Sequence, residues 1–111
     1  MKRIALMLLL AAAAPAFAQD AAVPKAAATC FSCHGENGAH PIAPNYPVLA
    51  GQYANYLEHA LTEYKEGKRK NPIMGAQAAA LSGEDIHQLA EFFSEQPSNL
   101  HTPSVHVAEK K

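Results

Sequence analysis

The segment with the clearest chemistry is Cys30-Phe31-Ser32-Cys33-His34. Two thiols three positions apart near a helix end lie on one side of the chain. They can add to the two vinyl groups on one edge of a porphyrin. The next residue, His34, then sits under the macrocycle and offers its imidazole to the iron. Cys-x-x-Cys-His is the c-type haem attachment motif. The expected cofactor is therefore one covalently bound haem c, with Cys30 and Cys33 as thioether residues and His34 as an axial ligand. Other uses of these residues fit the chain less well. A thioredoxin-like pair belongs beside a βαβ pattern, and none is visible. A structural zinc site needs four ligands, usually with a second Cys or His pair. His40 can be proposed for it, but Cys30 and Cys33 are the only two cysteines. A disulfide over so short a loop hardly restricts the unfolded chain.

The sixth ligand decides what such an iron can do. A methionine sulfur fills the distal site and raises the potential, as an electron-transfer haem requires. Met1 and Met7 lie in the leader, so Met74 is the candidate. It falls in a stretch, Lys68 to Gly75, that reads as an irregular loop because Asn71-Pro72 forces an extended backbone at Asn71. Such a loop can bring a side chain over the far haem face. The competing reading is that Met74 fills the core, as methionines often do. His40, His59, His87, His101 and His106 are rival ligands that lack this loop setting. A ligating histidine usually donates its other N–H to a carbonyl or carboxylate. Pro47, in a rigid proline-rich loop, offers a carbonyl that can orient His34; alternatively Pro44 and Pro47 only shape the loop. Lys68, Arg69 and Lys70 read as a solvated basic face, with haem propionates as the alternative partner.

These residues need elements to hold them. The chain has 111 residues, enough for one domain. Lys2 and Arg3, the apolar run Ile4–Ala14 and Ala16-Phe17-Ala18 match a cleaved signal peptide over residues 1–18. That run is shorter than the roughly 20 residues a bilayer span needs. No cysteine follows the cleavage site to carry a lipid, so no stable membrane insertion is expected. Removing Lys2 and Arg3 leaves seven basic against ten acidic residues. This acidic balance gives no argument for nucleic-acid binding. Lys25 to Cys33 is Ala-rich and helix-favouring, with Gly35 as a stop. Glu36 to Pro47 reads as a loop. Gln52 to Glu66 is a helix with Tyr53, Leu57, Ala60, Leu61 and Tyr64 on one stripe. Ala76 to Leu81 forms a short helix. Ser82 caps a last helix carrying Ile86, Leu89, Ala90 and Phe93, which stops before Pro97. The expected class is all-α, with three main helices, short helices and long loops. The haem domain covers residues 19–97 and a polar tail covers 98–111.

Cys30-Phe-Ser-Cys-His34-Gly35, Ala43-Pro-Asn-Tyr-Pro-Val-Leu-Ala-Gly-Gln52, Asn71-Pro-Ile-Met74 and Leu81-Ser-Gly-Glu-Asp-Ile86 together resemble a class I cytochrome c. The likeness is to small bacterial members, including single domains of periplasmic dihaem cytochromes, and covers about residues 25–96. It implies the cytochrome c fold wrapped around one haem, with first and last helices crossing. It also implies thioethers at Cys30 and Cys33, axial ligation by His34 and Met74, and the Pro47 carbonyl orienting the histidine. Dihaem relatives carry two attachment motifs; this chain has one. The tail from Pro97 to Lys111 matches nothing in the family pattern.

The function expected is that of a periplasmic single-electron carrier and not an enzyme, because two protein ligands leave no position for substrate. Its partners would be donor and acceptor redox proteins that dock weakly and briefly, with the chain a monomer between encounters. The alternatives are an open-site haem protein, such as a gas sensor or peroxidase-like enzyme, and a cytochrome subunit of a larger oxidoreductase.

Overall fold

The computed structural model describes residues 22–100. Four α-helices form the described chain: α1 (Ala27–His34), α2 (Ala54–Glu66), α3 (Pro72–Ala79) and α4 (Gly83–Ser94), with a 3-10 turn at Glu36–Gly38 after α1. No strand occurs among the described residues, so the all-α class holds. No helix among them is long and apolar enough to cross a membrane. Residues 1–18, expected to be a leader, and most of the expected tail lie outside the described residues.

α4 forms the centre of the core because its apolar residues recur at the helical period. Ile86, Leu89, Ala90, Phe92 and Phe93 are all buried, and Leu89 is sealed completely. Its start is fastened by a reciprocal cap: the Asp85 amide donates to Ser82 Oγ at 3.0 Å, and the Ser82 amide donates to an Asp85 carboxylate oxygen at 2.8 Å. Ala27 of α1 and Leu57 of α2 complete the buried cluster. The first and last helices meet through aromatic rings. Phe31 lies 6.2 Å from Phe92 and 6.1 Å from Phe93, the second contact edge-on.

α2 behaves differently from its sequence pattern. Of its five-residue stripe only Leu57 is buried; Tyr53 is exposed and Ala60, Leu61 and Tyr64 are half-buried. The periodicity is present, but the protein's own packing covers only part of it. α2 ends at Gly67, whose φ of 74° is left-handed.

α3 corrects two expectations. It begins at Pro72, not Ala76, and so Met74 lies in the first turn of a helix instead of an irregular loop. The physical reason is local. Asn71 is extended, and its side-chain oxygen accepts from the amides of Ile73 (3.0 Å) and Met74 (3.1 Å). Pro72 occupies the first helical position, where it lacks only an amide hydrogen the helix cannot use. The Asn-Pro pair that reads as a breaker is a helix start.

Candidate haem site

α1 delivers Cys30 from its middle and Cys33 and His34 from its last turn. The helix must stop directly after His34, and Gly35 stops it, with φ of 83°. A Cβ there would lie 1.9 Å from the His40 carbonyl oxygen, so no other residue fits. The chain then doubles back. The Ile42 amide donates to the Cys33 carbonyl at 3.1 Å. The amides of Leu49 and Ala50 both donate to the Gly38 carbonyl, at 2.9 and 3.1 Å. Gly38 also permits close approach, since a Cβ there would sit 2.9 Å from atoms of Leu49 and Phe93.

This folding brings Pro47 against His34. His34 is 5% exposed, and its Nδ1 lies 2.8 Å from the Pro47 carbonyl oxygen. A carbonyl only accepts, so Nδ1 carries the hydrogen and donates. In the neutral ring Nε2 is then the atom with the free lone pair, the one a metal takes. Tyr46 meets the imidazole edge-on at 6.1 Å.

The two cysteines are free thiols and half-buried. Burial pushes the Cys30 thiol above its ordinary value, partly offset by a backbone hydrogen bond, with Cys33 nearby adding to the rise.

The residues present fit a flat apolar group with an iron at its centre. A soft sulfur and an imidazole nitrogen suit iron as donors. Two exposed apolar residues are near the candidate ligands in the chain. Ile42, tied by its amide to Cys33, is 67% exposed, and Ile73, beside Met74, is 54% exposed. Met74 itself is half-buried. Gly75 faces open space, where an added Cβ would meet no atom within 4 Å. Off the attachment motif, a cleft of about 450 Å³ runs between residues 22–25 and α4 and contains neither cysteine nor His34.

The rival histidines have carboxylate neighbours. His59 lies 3.3 Å from Glu63, and His87 lies between Glu58 at 3.3 Å and Glu91 at 3.4 Å. Hydrogen bonding to Glu58 and the charge of Glu91 raise the His87 pKa. His40 is exposed; His101 and His106 lie outside the described residues. Among the described residues no group of three or more His, Cys, Asp or Glu gathers to hold a metal ion, which leaves a zinc site at Cys30, Cys33 and His40 without support.

Sequence reading missed three contributors. Asn71 caps the turn that bears Met74, and the Asn-Pro pair was a legible signal. Gly38 closes the loop over α4, which no local pattern announces. Arg69 is not simply a solvated charge. Its guanidinium carbon lies 5.2 Å from the Tyr64 ring centroid and 5.9 Å from that of Tyr56. By contrast, Lys68 pairs with Glu66 at 2.6 Å on the surface.

Comparison with known proteins supplies the family to which the chain belongs. Residues 21–96 match the family model described as Cytochrome c. Cytochrome c-554(548) of Halomonas halodenitrificans is 44% identical over 71 residues, covering 61% of this chain and 84% of that protein. The thiosulfate dehydrogenase electron acceptor of Thiomonas intermedia is 38% identical over 84 residues, 75% of this chain and 39% of its own length. Cytochrome c4 of Pseudomonas aeruginosa is 40% identical over 84 residues, 75% of this chain and 41% of its own length. The chain thus spans most of the first relative and about two-fifths of the other two.

Proposed function

The chain belongs to the cytochrome c family, as a class I c-type cytochrome with covalently bound haem c, and from that premise we propose that it is a periplasmic one-electron carrier closed on both sides of the iron by His34 and Met74. Electron transfer is the activity its family and relatives support. Residues 1–18 act as the export signal, residues 19–97 form the haem domain, and 98–111 are a tail. Cys30 and Cys33 supply the thioethers.

When bound, haem c supplies a one-electron couple between ferric and ferrous iron. The protein's part is to bind, orient and tune. The Pro47 carbonyl takes the Nδ1 hydrogen of His34, fixes the tautomer and raises the donor strength of Nε2. The thioether of Met74 favours the ferrous state and so raises the potential. With both positions taken by side chains, no site remains for substrate, which separates a carrier from a catalyst. Partners are redox proteins that bind briefly; the electron-acceptor role named for the Thiomonas relative is of this kind.

The observation that carries this reading is the buried His34 ring, directly after Cys33, with Nδ1 donating at 2.8 Å to Pro47. Carbon monoxide added to the reduced holoprotein at neutral pH tests it. Little or slow binding is expected. Fast, complete binding would mean an open iron and a sensor or peroxidase-like protein instead.

A further inference from the structure

Met74 sits in a turn that burial does not hold. Asn71, Pro72 and Ile73 are exposed, Met74 is half-buried, and the one buried residue of α3, Ala78, lies a full turn further on. The segment leading into that turn is instead strapped to α2. The amides of Lys68 and Arg69 both donate to the Glu63 carbonyl, at 2.9 and 3.2 Å. The Arg69 guanidinium then folds back over the helix. It lies over the rings of Tyr64 and Tyr56, donates from Nη2 to the Tyr56 hydroxyl at 3.3 Å, and places Nη1 3.9 Å from a Glu63 carboxylate oxygen. Tyr64, Arg69, Asn71, Pro72 and Gly75 line one recess of about 260 Å³, so the stack and the Met74 turn share a wall. A guanidinium suits this place because its plane can lie on aromatic faces while its edge donates.

We propose that Arg69 is a positioning residue: bridging Tyr56, Tyr64 and Glu63, it sets where α3 begins relative to α2 and thereby how firmly Met74 is retained by the iron. The inference rests on Met74 being the distal ligand. Arg69 acts through the backbone it fastens and touches no ligand itself. Loosening it lowers the cost of swinging Met74 away, so an added small ligand competes more easily and the reduction potential falls.

The test uses ferric holoprotein titrated with imidazole, with the sulfur-to-iron charge-transfer band and the reduction potential read on the same samples. Arg69→Gln is expected to bind imidazole about five- to tenfold more tightly, at unchanged covalent haem content, as loss of a stacked, hydrogen-bonded cation implies. Arg69→Lys, which keeps the charge but not the plane, should fall between. Tyr64→Leu should reproduce the Arg69→Gln effect, and the double variant should be no worse than either single. Tyr56→Phe keeps the ring and removes only the acceptor, so it gives a smaller shift in the same direction and guards against a misfolded Tyr64→Leu. Unchanged imidazole affinity in Arg69→Gln, with the band present in the parent protein, overturns this inference alone. Independent, multiplying effects of Arg69→Gln and Tyr64→Leu also overturn it, placing Arg69's influence elsewhere, for example on the haem propionates. A parent protein without the band overturns the assignment of Met74 and the role of Arg69 with it.

Discussion

The two sides of the site are built on opposite principles. The His34 side is held by burial and by backbone. His34 is almost sealed, Gly35 and Gly38 allow contacts no other residue could make, and the loop from Gly38 to Ala50 is closed by main-chain hydrogen bonds. The Met74 side lies near solvent and is held by polar side chains: the Asn71 cap, the Arg69 stack and the Lys65 ammonium, which donates to the Leu81 carbonyl across the α2–α4 connection. Buried close packing tolerates little change. Exposed caps and stacks contribute about 1 kcal/mol each and give way one at a time. With His34 and Met74 as the proposed ligands, a carrier made this way keeps one ligand permanently and holds the other by an adjustable grip.

The largest effect should come from the rigid side. Gly35→Ala must place a methyl on the His40 carbonyl and adopt a positive φ, so little folded holoprotein should be recovered, measured as covalent haem per chain. Normal yield would erase the contrast between the two sides. Met74→Ala comes next. It should fold with covalent haem, bind carbon monoxide rapidly, and lose on the order of 0.2 V in potential, within the roughly 0.8 V range axial ligands span. An unchanged potential would remove Met74 from the iron.

Asn71→Ala removes the acceptor of two amides and should cost about 1 kcal/mol, seen as a thermal midpoint lower by about 4–8 °C. If ligand displacement by imidazole were unaffected in that variant, the cap would serve the helix and not Met74. The smallest effects lie at the start of α4 and in its contact with α2. The Ser82 amide and hydroxyl hold the Asp85 carboxyl below the usual carboxylate range. A lowered folded value means this contribution is present above about pH 4, the unfolded value, and is lost as pH falls through the folded one. His87 has the opposite sign. Glu58 and Glu91 raise it, so its contribution is present below about pH 6.5 and is lost as pH rises through its folded value. Glu58→Gln should lower the His87 midpoint in an NMR titration while leaving the haem spectrum unchanged. A spectral change would tie this surface pair to the site.

The sequence made the rigid side easy to read. Cys30, Cys33 and His34 fall within five consecutive residues, and the stop at Gly35 is a local signal. The period of α4 also translated directly into burial, from Ile86 to Phe93. The adjustable side was harder. Pro72 reads as a helix breaker until Asn71 is recognised as a cap, and that error placed Met74 in a loop. Arg69 could not be read at all from spacing, because its stack on Tyr56 and Tyr64 depends on how the chain turns at Gly67. The half-covered stripe of α2 belongs with these. Periodicity states which face is apolar, but not how much of that face the chain itself covers.

His34 and Met74 are proposed to close one iron between an imidazole and a thioether. The absorption spectrum of the purified holoprotein, oxidised and then reduced, tests it most directly. A low-spin spectrum in both states, with the sulfur-to-iron band in the oxidised form and lost in Met74→Ala, is the result expected. A high-spin spectrum, or a colourless protein despite a working haem-attachment system in its host, would contradict the account.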